Sequence, residues 1–138
     1  MSESDVGTVR IVPSGWDADV AERFGYSFAL KRGSSLWIAG QVAMDPSGRV
    51  VGEGDIEAQA RCVLDRIRTI VEAAGGTMRD VVRTTTFITD RDHRPITNEL
   101  RREYFEGPNY PPNTLVIVAG LALPEYLVEI EATAVVPG

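Results

Sequence analysis

Along residues 54–76, GDIEAQARCVLDRIRTIVEAAGG, the apolar positions Ile56, Ala60, Val63, Leu64, Ile67, Ile70, Val71 and Ala74 recur at three- and four-residue steps. That period places them on one stripe of a helix. Asp55 suits the N-cap, Glu57 the positive end of the helix dipole, and Gly75 a left-handed stop. A second helix is predicted from Pro95, whose missing N–H costs nothing in a first turn, through NELRREYFE. Ile96, Leu100 and Tyr104 form its inner ridge. Asn98, Arg101, Arg102 and Phe105 fall off that ridge, so the helix pattern alone leaves Asn98 in solvent.

The other patterned segments read as strands: Thr8 to Val12, YSFALKR, SLWIAGQV, VVRTTTFITD, TLVIVAG and LVEIEATAVV. Gly33-Ser34 joins the second and third as a tight hairpin turn. In the last segment Val128, Ile130, Ala132 and Ala134 alternate with Glu129, Glu131 and Thr133. One face is therefore apolar and the other polar. The predicted order is β-β-β-α-β-α-β-β, which implies an α+β two-layer sandwich: two helices cover one face of a mixed sheet, and the chain ends in a strand pair. The other face stays uncovered, carries Glu129 and Glu131 with Trp37 or Ile117 according to register, and is most simply closed by self-association. No repeat or linker marks a boundary, so residues 1–138 are read as a single domain.

Composition narrows the function classes. The formal net charge is −6 and the 14 basic residues are scattered, which argues against a phosphate-backbone partner. No apolar run reaches the roughly 18–20 residues of a membrane helix, and the acidic start MSESDVG lacks a secretory pattern, so a cytoplasmic location is expected. Cys62 is the only cysteine and His93 the only histidine, which leaves no disulfide and no recognisable zinc constellation. Cys62 reads as a small hydrophobe within the helix, and His93 as an exposed loop residue beside Asp90 and Asp92. Motifs such as GxSxG, HExxH and GxxxxGK[ST] are missing.

The string AQARCVLDRIRTIVEAAGGTMRDVVRTTTFITD, followed by an Asn in the next helix and by VEIEATAVV, resembles the Rid (reactive intermediate deaminase, or YjgF) family over about Phe24 to Val136. The resemblance implies a chorismate-mutase-like subunit and a homotrimer with a small-molecule pocket at each subunit boundary. It also implies hydrolysis of enamines and imines, such as 2-aminoacrylate, without metal or organic cofactor.

On that pattern Tyr26 and Glu129 match the catalytic positions, and Gly40 and Asn98 match substrate-binding ones. Ala39 stands where the family has Ser, Leu115 where it has Cys, and Asn113 where its deaminases carry the carboxylate-binding Arg. An amide cannot form the bidentate, charge-assisted pair of a guanidinium, whose loss weakens binding of a small anionic imine by roughly 1.5–3 kcal/mol. Arg94 and Arg32 are the replacement cations weighed, each with an ordinary solvated-loop alternative. Tyr26 has a rival reading as a core aromatic beside Phe28, and Glu131 reads as structural or interfacial. The resulting expectation is an enamine or imine hydrolase acting on something larger or less anionic than 2-aminoacrylate. A non-catalytic small-molecule-binding or regulatory trimer is the alternative, and an endoribonuclease fits least.

Overall fold

Asp55 caps the long helix as its position predicts: the carboxylate accepts from the Ala58 N–H at 3.0 Å. The structure, a computed structural model, describes residues 7–137. Residues 1–6, on which the expectation about a leader rests, lie outside it. The elements are β1 (Thr8–Ile11), α1 (Asp19–Glu22), β2 (Ala29–Arg32), β3 (Ser35–Gln41), α2 (Ile56–Ala73), β4 (Val81–Ile88), α3 (Arg94–Phe105), β5 (Asn113–Ile117) and β6 (Val128–Val135). The sequence pattern lacked the four-residue α1, which is too short to show a helical period. It also began β2 too early, because ladder pairing starts only at Ala29. Gly75 ends α2 with φ +94°, and the Gly76 N–H reaches back to the Val71 carbonyl at 2.9 Å.

The six strands form one mixed sheet in the order β1-β2-β3-β6-β4-β5. Only β4 and β5 run parallel, and α3 supplies the crossover that parallel neighbours require. The two C-terminal strands are not neighbours, since β4 lies between them. Gly33, at φ +60°, turns the β2–β3 hairpin, so that Arg32 faces Ser35.

Val128, Ile130, Ala132 and Ala134 of β6 are all buried, together with Val63, Leu64, Ile67, Ile70 and Val71 of α2. Each fully buried Leu or Ile contributes about 1.5–3 kcal/mol relative to exposure. Leu36 and Ile38 of β3, Ile88 of β4 and Leu100 of α3 join the same cluster. On the opposite face Leu30, Trp37, Thr133 and Arg83 form one cross-strand row. Trp37 is 50% exposed there. Ile117 is not on that face; its partner Ile88 is buried in the helix-side layer, and Ile117 is exposed because β5 is an edge strand.

The inner face of α3 differs from the expected ridge. Phe105, placed off the inner ridge of α3, is buried, and so is Thr97; Ile96 and Tyr104 are only half-buried. The inward arc of α3 is therefore rotated towards Thr97 and Phe105. In α2, Gln59 and Arg66 are buried as well. Steps of four and three residues from Gln59 lead through Val63 and Arg66 to Ile70, so the period itself held both positions.

Candidate active site

Gly40 and Glu129 meet directly. The β3–β6 ladder shifts register between Ile38 and Gln41, so Ala39 and Gly40 together face the single residue Glu131 in a bulge. The Glu129 side chain crosses this bulge, and a Cβ built on Gly40 would lie 2.2 Å from Glu129 Oε2 and 2.8 Å from its Cδ. Only glycine leaves that space to the carboxylate. Burial raises the Glu129 pKa above the ordinary carboxylate range, and the like charge of Glu131 raises it further.

Buried polar groups hold both strands of this corner. Arg66 donates from Nε to Gln41 Oε1 at 3.1 Å and from Nη1 to the Met44 carbonyl at 3.1 Å. Its guanidinium lies 3.9 Å above the Trp16 ring, which in turn packs edge-on against Phe28. Gln41 donates to the Ala39 carbonyl at 2.9 Å, which ties Arg66 to the bulge. On the other strand, Gln59 Oε1 accepts from the Leu127 N–H at 2.8 Å, two residues before Glu129. Gln59 Nε2 donates to the carbonyls of Glu125 and Gly52 at 2.8 and 3.1 Å. Gln59 and Arg66 lie within the family-like string without standing out as site residues, and the helical period could have found them; it could not have found Gln41, which lies on β3 past the bulge.

Tyr26 precedes β2 at this same end of the sheet and is 44% exposed, which removes the core-aromatic reading. Ala39 is half-buried and donates its N–H to the Phe28 carbonyl at 2.9 Å. Tyr26, Ala39, Gly40 and Glu129 thus occupy one corner: the approach to β2, the end of β3 and the start of β6.

Asn98, Asn113 and Leu115 stand elsewhere. Asn113 pairs with Thr84 in the parallel β4–β5 ladder, and its Oδ1 accepts from Thr84 Oγ1 at 2.9 Å and Thr86 Oγ1 at 2.8 Å. Both threonines are fully buried, so the Asn113 side chain lies on the helix side of the sheet. An amide oxygen at the start of β5 satisfies two hydroxyls that would otherwise be buried without partners. Leu115 packs against the core from the same side. Asn98 on α3 is half-buried, and its Oδ1 accepts from Arg101 Nη1 at 2.9 Å.

Within one protomer the corner residues are therefore one group and Asn113 with Leu115 on β5 another, while Asn98 sits on α3. Glu129 pairs with Phe87 and Asn113 with Thr84 on the shared neighbour β4, and β5 lies two strands from β6. The strand positions are about 10 Å apart along the sheet and about 10 Å across it, with side chains on opposite faces. Arg94 and Arg32 are exposed. His93 is half-buried rather than exposed, and its Nδ1 is shielded without a hydrogen-bond partner among the described residues. Burial pushes the Cys62 thiol pKa up, and the half-buried sulfur donates to the Met44 carbonyl at 3.5 Å.

Gly40→Ala tests the close approach. The carboxylate is the far end of a flexible side chain, so the fold is expected to survive while the added methyl pushes it towards water. The Glu129 pKa should then fall towards the ordinary range in a ¹³C carboxyl titration. An unmoved titration would show that the bulge does not confine the group.

The chain matches the family model described as Endoribonuclease L-PSP over residues 18–136. It is 41% identical over 109 residues to a RutC family protein of Pyrococcus horikoshii, covering 79% of this chain and 85% of that one. Among solved structures it is similar to RidA from the Antarctic bacterium Psychrobacter sp., with TM-score 0.81, 32% identity and coverage of 93% and 99% of the two chains. A member of the YjgF/YER057c/UK114 family from Mycobacterium tuberculosis matches with TM-score 0.77, 35% identity and coverage of 91% and 98%. With the α+β fold, the corner built on Gly40 and Glu129 and these matches along nearly the whole described chain, the protein belongs to the Rid/YjgF family.

Proposed function

We propose that this protein is a cofactor-independent imine or enamine hydrolase that works as a homotrimer, with each site shared between two protomers. The observation that carries this reading is the half-buried Glu129 carboxylate held over Gly40, since its raised pKa suits a general base working closer to neutral pH. Glu129 takes a proton from water as the water oxygen adds to the C=N carbon, and the carboxylic acid so formed returns that proton to the nitrogen. The carbinolamine then collapses, breaking C–N, to a carbonyl compound and ammonia. Tyr26 and the Gly40 backbone position the reacting end of the substrate. Asn98, Asn113 and Leu115 of a neighbouring protomer supply the far wall. The separation of the two groups within one chain supports this division, as does the exposed face bearing Leu30, Trp37 and Val135, which a second copy would cover.

Asn113 brings no charge to the site. Its oxygen is committed to Thr84 and Thr86, which leaves only amide N–H donors for a ligand. The substrate is accordingly larger than 2-aminoacrylate and is not clamped by a cation at residue 113.

Ammonia release across a panel of imines and enamines tests the activity. Turnover of bulky members with weak turnover of 2-aminoacrylate is expected, and Asn113→Arg should improve the latter about ten- to a hundredfold. A ligand that raises Tm without being consumed, with no ammonia from any member, would instead mark a binding trimer.

A further inference from the structure

Arg101 lies beside Asn98 on α3 and has no part in the chemistry proposed above. It lies on α3 four residues from Thr97 and four from Phe105, both buried, so its side chain leaves the helix along the inward arc. Such a position normally holds an apolar residue. Here it holds a guanidinium whose one hydrogen-bond partner among the described residues is Asn98 Oδ1 at 2.9 Å. None of the carboxylates of the described residues pairs with it. Burial pushes its pKa down with no opposing charge to offset the shift.

Arg66, the other desolvated arginine, shows what a purely structural role demands. It has two hydrogen bonds across to β3 and the segment after it, and an aromatic ring beneath it. Arg101 has neither a second partner nor a ring, and its remaining nitrogens are not sealed from the surface. Of the five guanidinium donors, most remain for something outside the chain, and a half-buried cation with spare donors is poised for an anion.

We infer that Arg101, oriented by Asn98, is the anion anchor of this protein. It takes the place of a cation at residue 113 and binds a carboxylate carried on an extended substituent of the substrate. This rests on the proposed imine-hydrolase site, to which Asn98 contributes the far wall. It puts the positive charge on α3 instead of at the start of β5, so the ligand is anionic, but its charge lies further from the reacting carbon than in 2-aminoacrylate. Arg101 is a specificity-determining residue in this account, while Glu129 performs the chemistry.

The test uses the full chain with glutarate as a dicarboxylate probe and glutaramide as its uncharged counterpart, titrated calorimetrically. Glutarate is expected to bind more tightly than glutaramide, and Arg101→Gln should cost glutarate about tenfold or more in affinity while leaving glutaramide unchanged. Arg101→Lys should retain part of the preference, and Tm measured for each variant reports whether the fold is intact. Equal binding of the two probes by the unmodified protein overturns the inference. So does an unchanged glutarate affinity in Arg101→Gln, an equal loss of both probes, or a crystal structure in which a second copy's carboxylate occupies the guanidinium. Arg101-dependent glutarate binding with no turnover of any imine would retire the hydrolase and keep the anchor. Turnover with Arg101-independent binding would do the reverse.

Discussion

Glu129→Gln is expected to lower imine turnover by about 10²–10⁴-fold, the range for loss of a general base, while preserving the shape of the corner. The stability effect should have the opposite sign. Because the folded-state pKa of Glu129 is raised by burial and by Glu131, the folded protein binds this proton more tightly than the unfolded chain does. Stability attached to the group is therefore full below the ordinary glutamate pKa of about 4.3 and is lost as pH rises through the higher folded value. Gln does not titrate, so the variant should be more stable than the parent at pH 7 and indistinguishable from it near pH 3 in denaturant melts. The rate profile should rise with pH through the raised pKa in the parent and lose that limb in the variant. A residue that merely braced β6 would give a less stable variant at every pH, and that outcome, or turnover equal to the parent's, refutes the role.

The same variant tests the proposed sharing of the site between protomers. Mixed trimers of Glu129→Gln with a variant altered at Asn98 and Asn113 should regain activity that neither homotrimer has, because some boundaries then join two intact halves. No recovery in verified mixed trimers would mean that the two groups do not serve one pocket.

The second large effect concerns the fold. Gln59→Leu should destabilise the protein by about 3 kcal/mol, through the Leu127 N–H and the Glu125 carbonyl it leaves without a partner and the second bond it removes from the Gly52 carbonyl, which keeps the Asp55 N–H. For a chain of this length that corresponds to a drop of about 10 °C in Tm. Leucine matches the volume and adds apolar surface, so any loss measures the three hydrogen bonds. Their position at the entry to β6 predicts a second consequence: the variant should be impaired in Glu129 chemistry even well below its melting point. An unchanged Tm would mean that water reaches these groups and that Gln59 is not the strut described.

The two long helices, the hairpin at Gly33-Ser34 and the two faces of β6 were legible because each depends on local rules: a period of 3.6 or 2, a cap, a permissive turn residue. The resemblance singled out Tyr26, Ala39, Gly40, Asn98, Asn113, Leu115 and Glu129. Sequence spacing could not say that Glu129 lies against Gly40 while Asn113 faces the other side of the sheet, because that depends on the bulge at Ala39-Gly40 and on β4 separating β5 from β6.

By itself the chain determined the two long helices, the alternating last strand, the sheet-and-helix class and the family. Those properties follow from residue type and from neighbours a few positions away. The helical period marks Gln59 and Arg66 as inward, but only tertiary structure supplied what lets them, Thr84 and Thr86 stay there: partners 22 to 68 residues distant complete their hydrogen bonds. A buried donor or acceptor is stable only when such a partner arrives, and where it arrives from is a matter of folding in three dimensions.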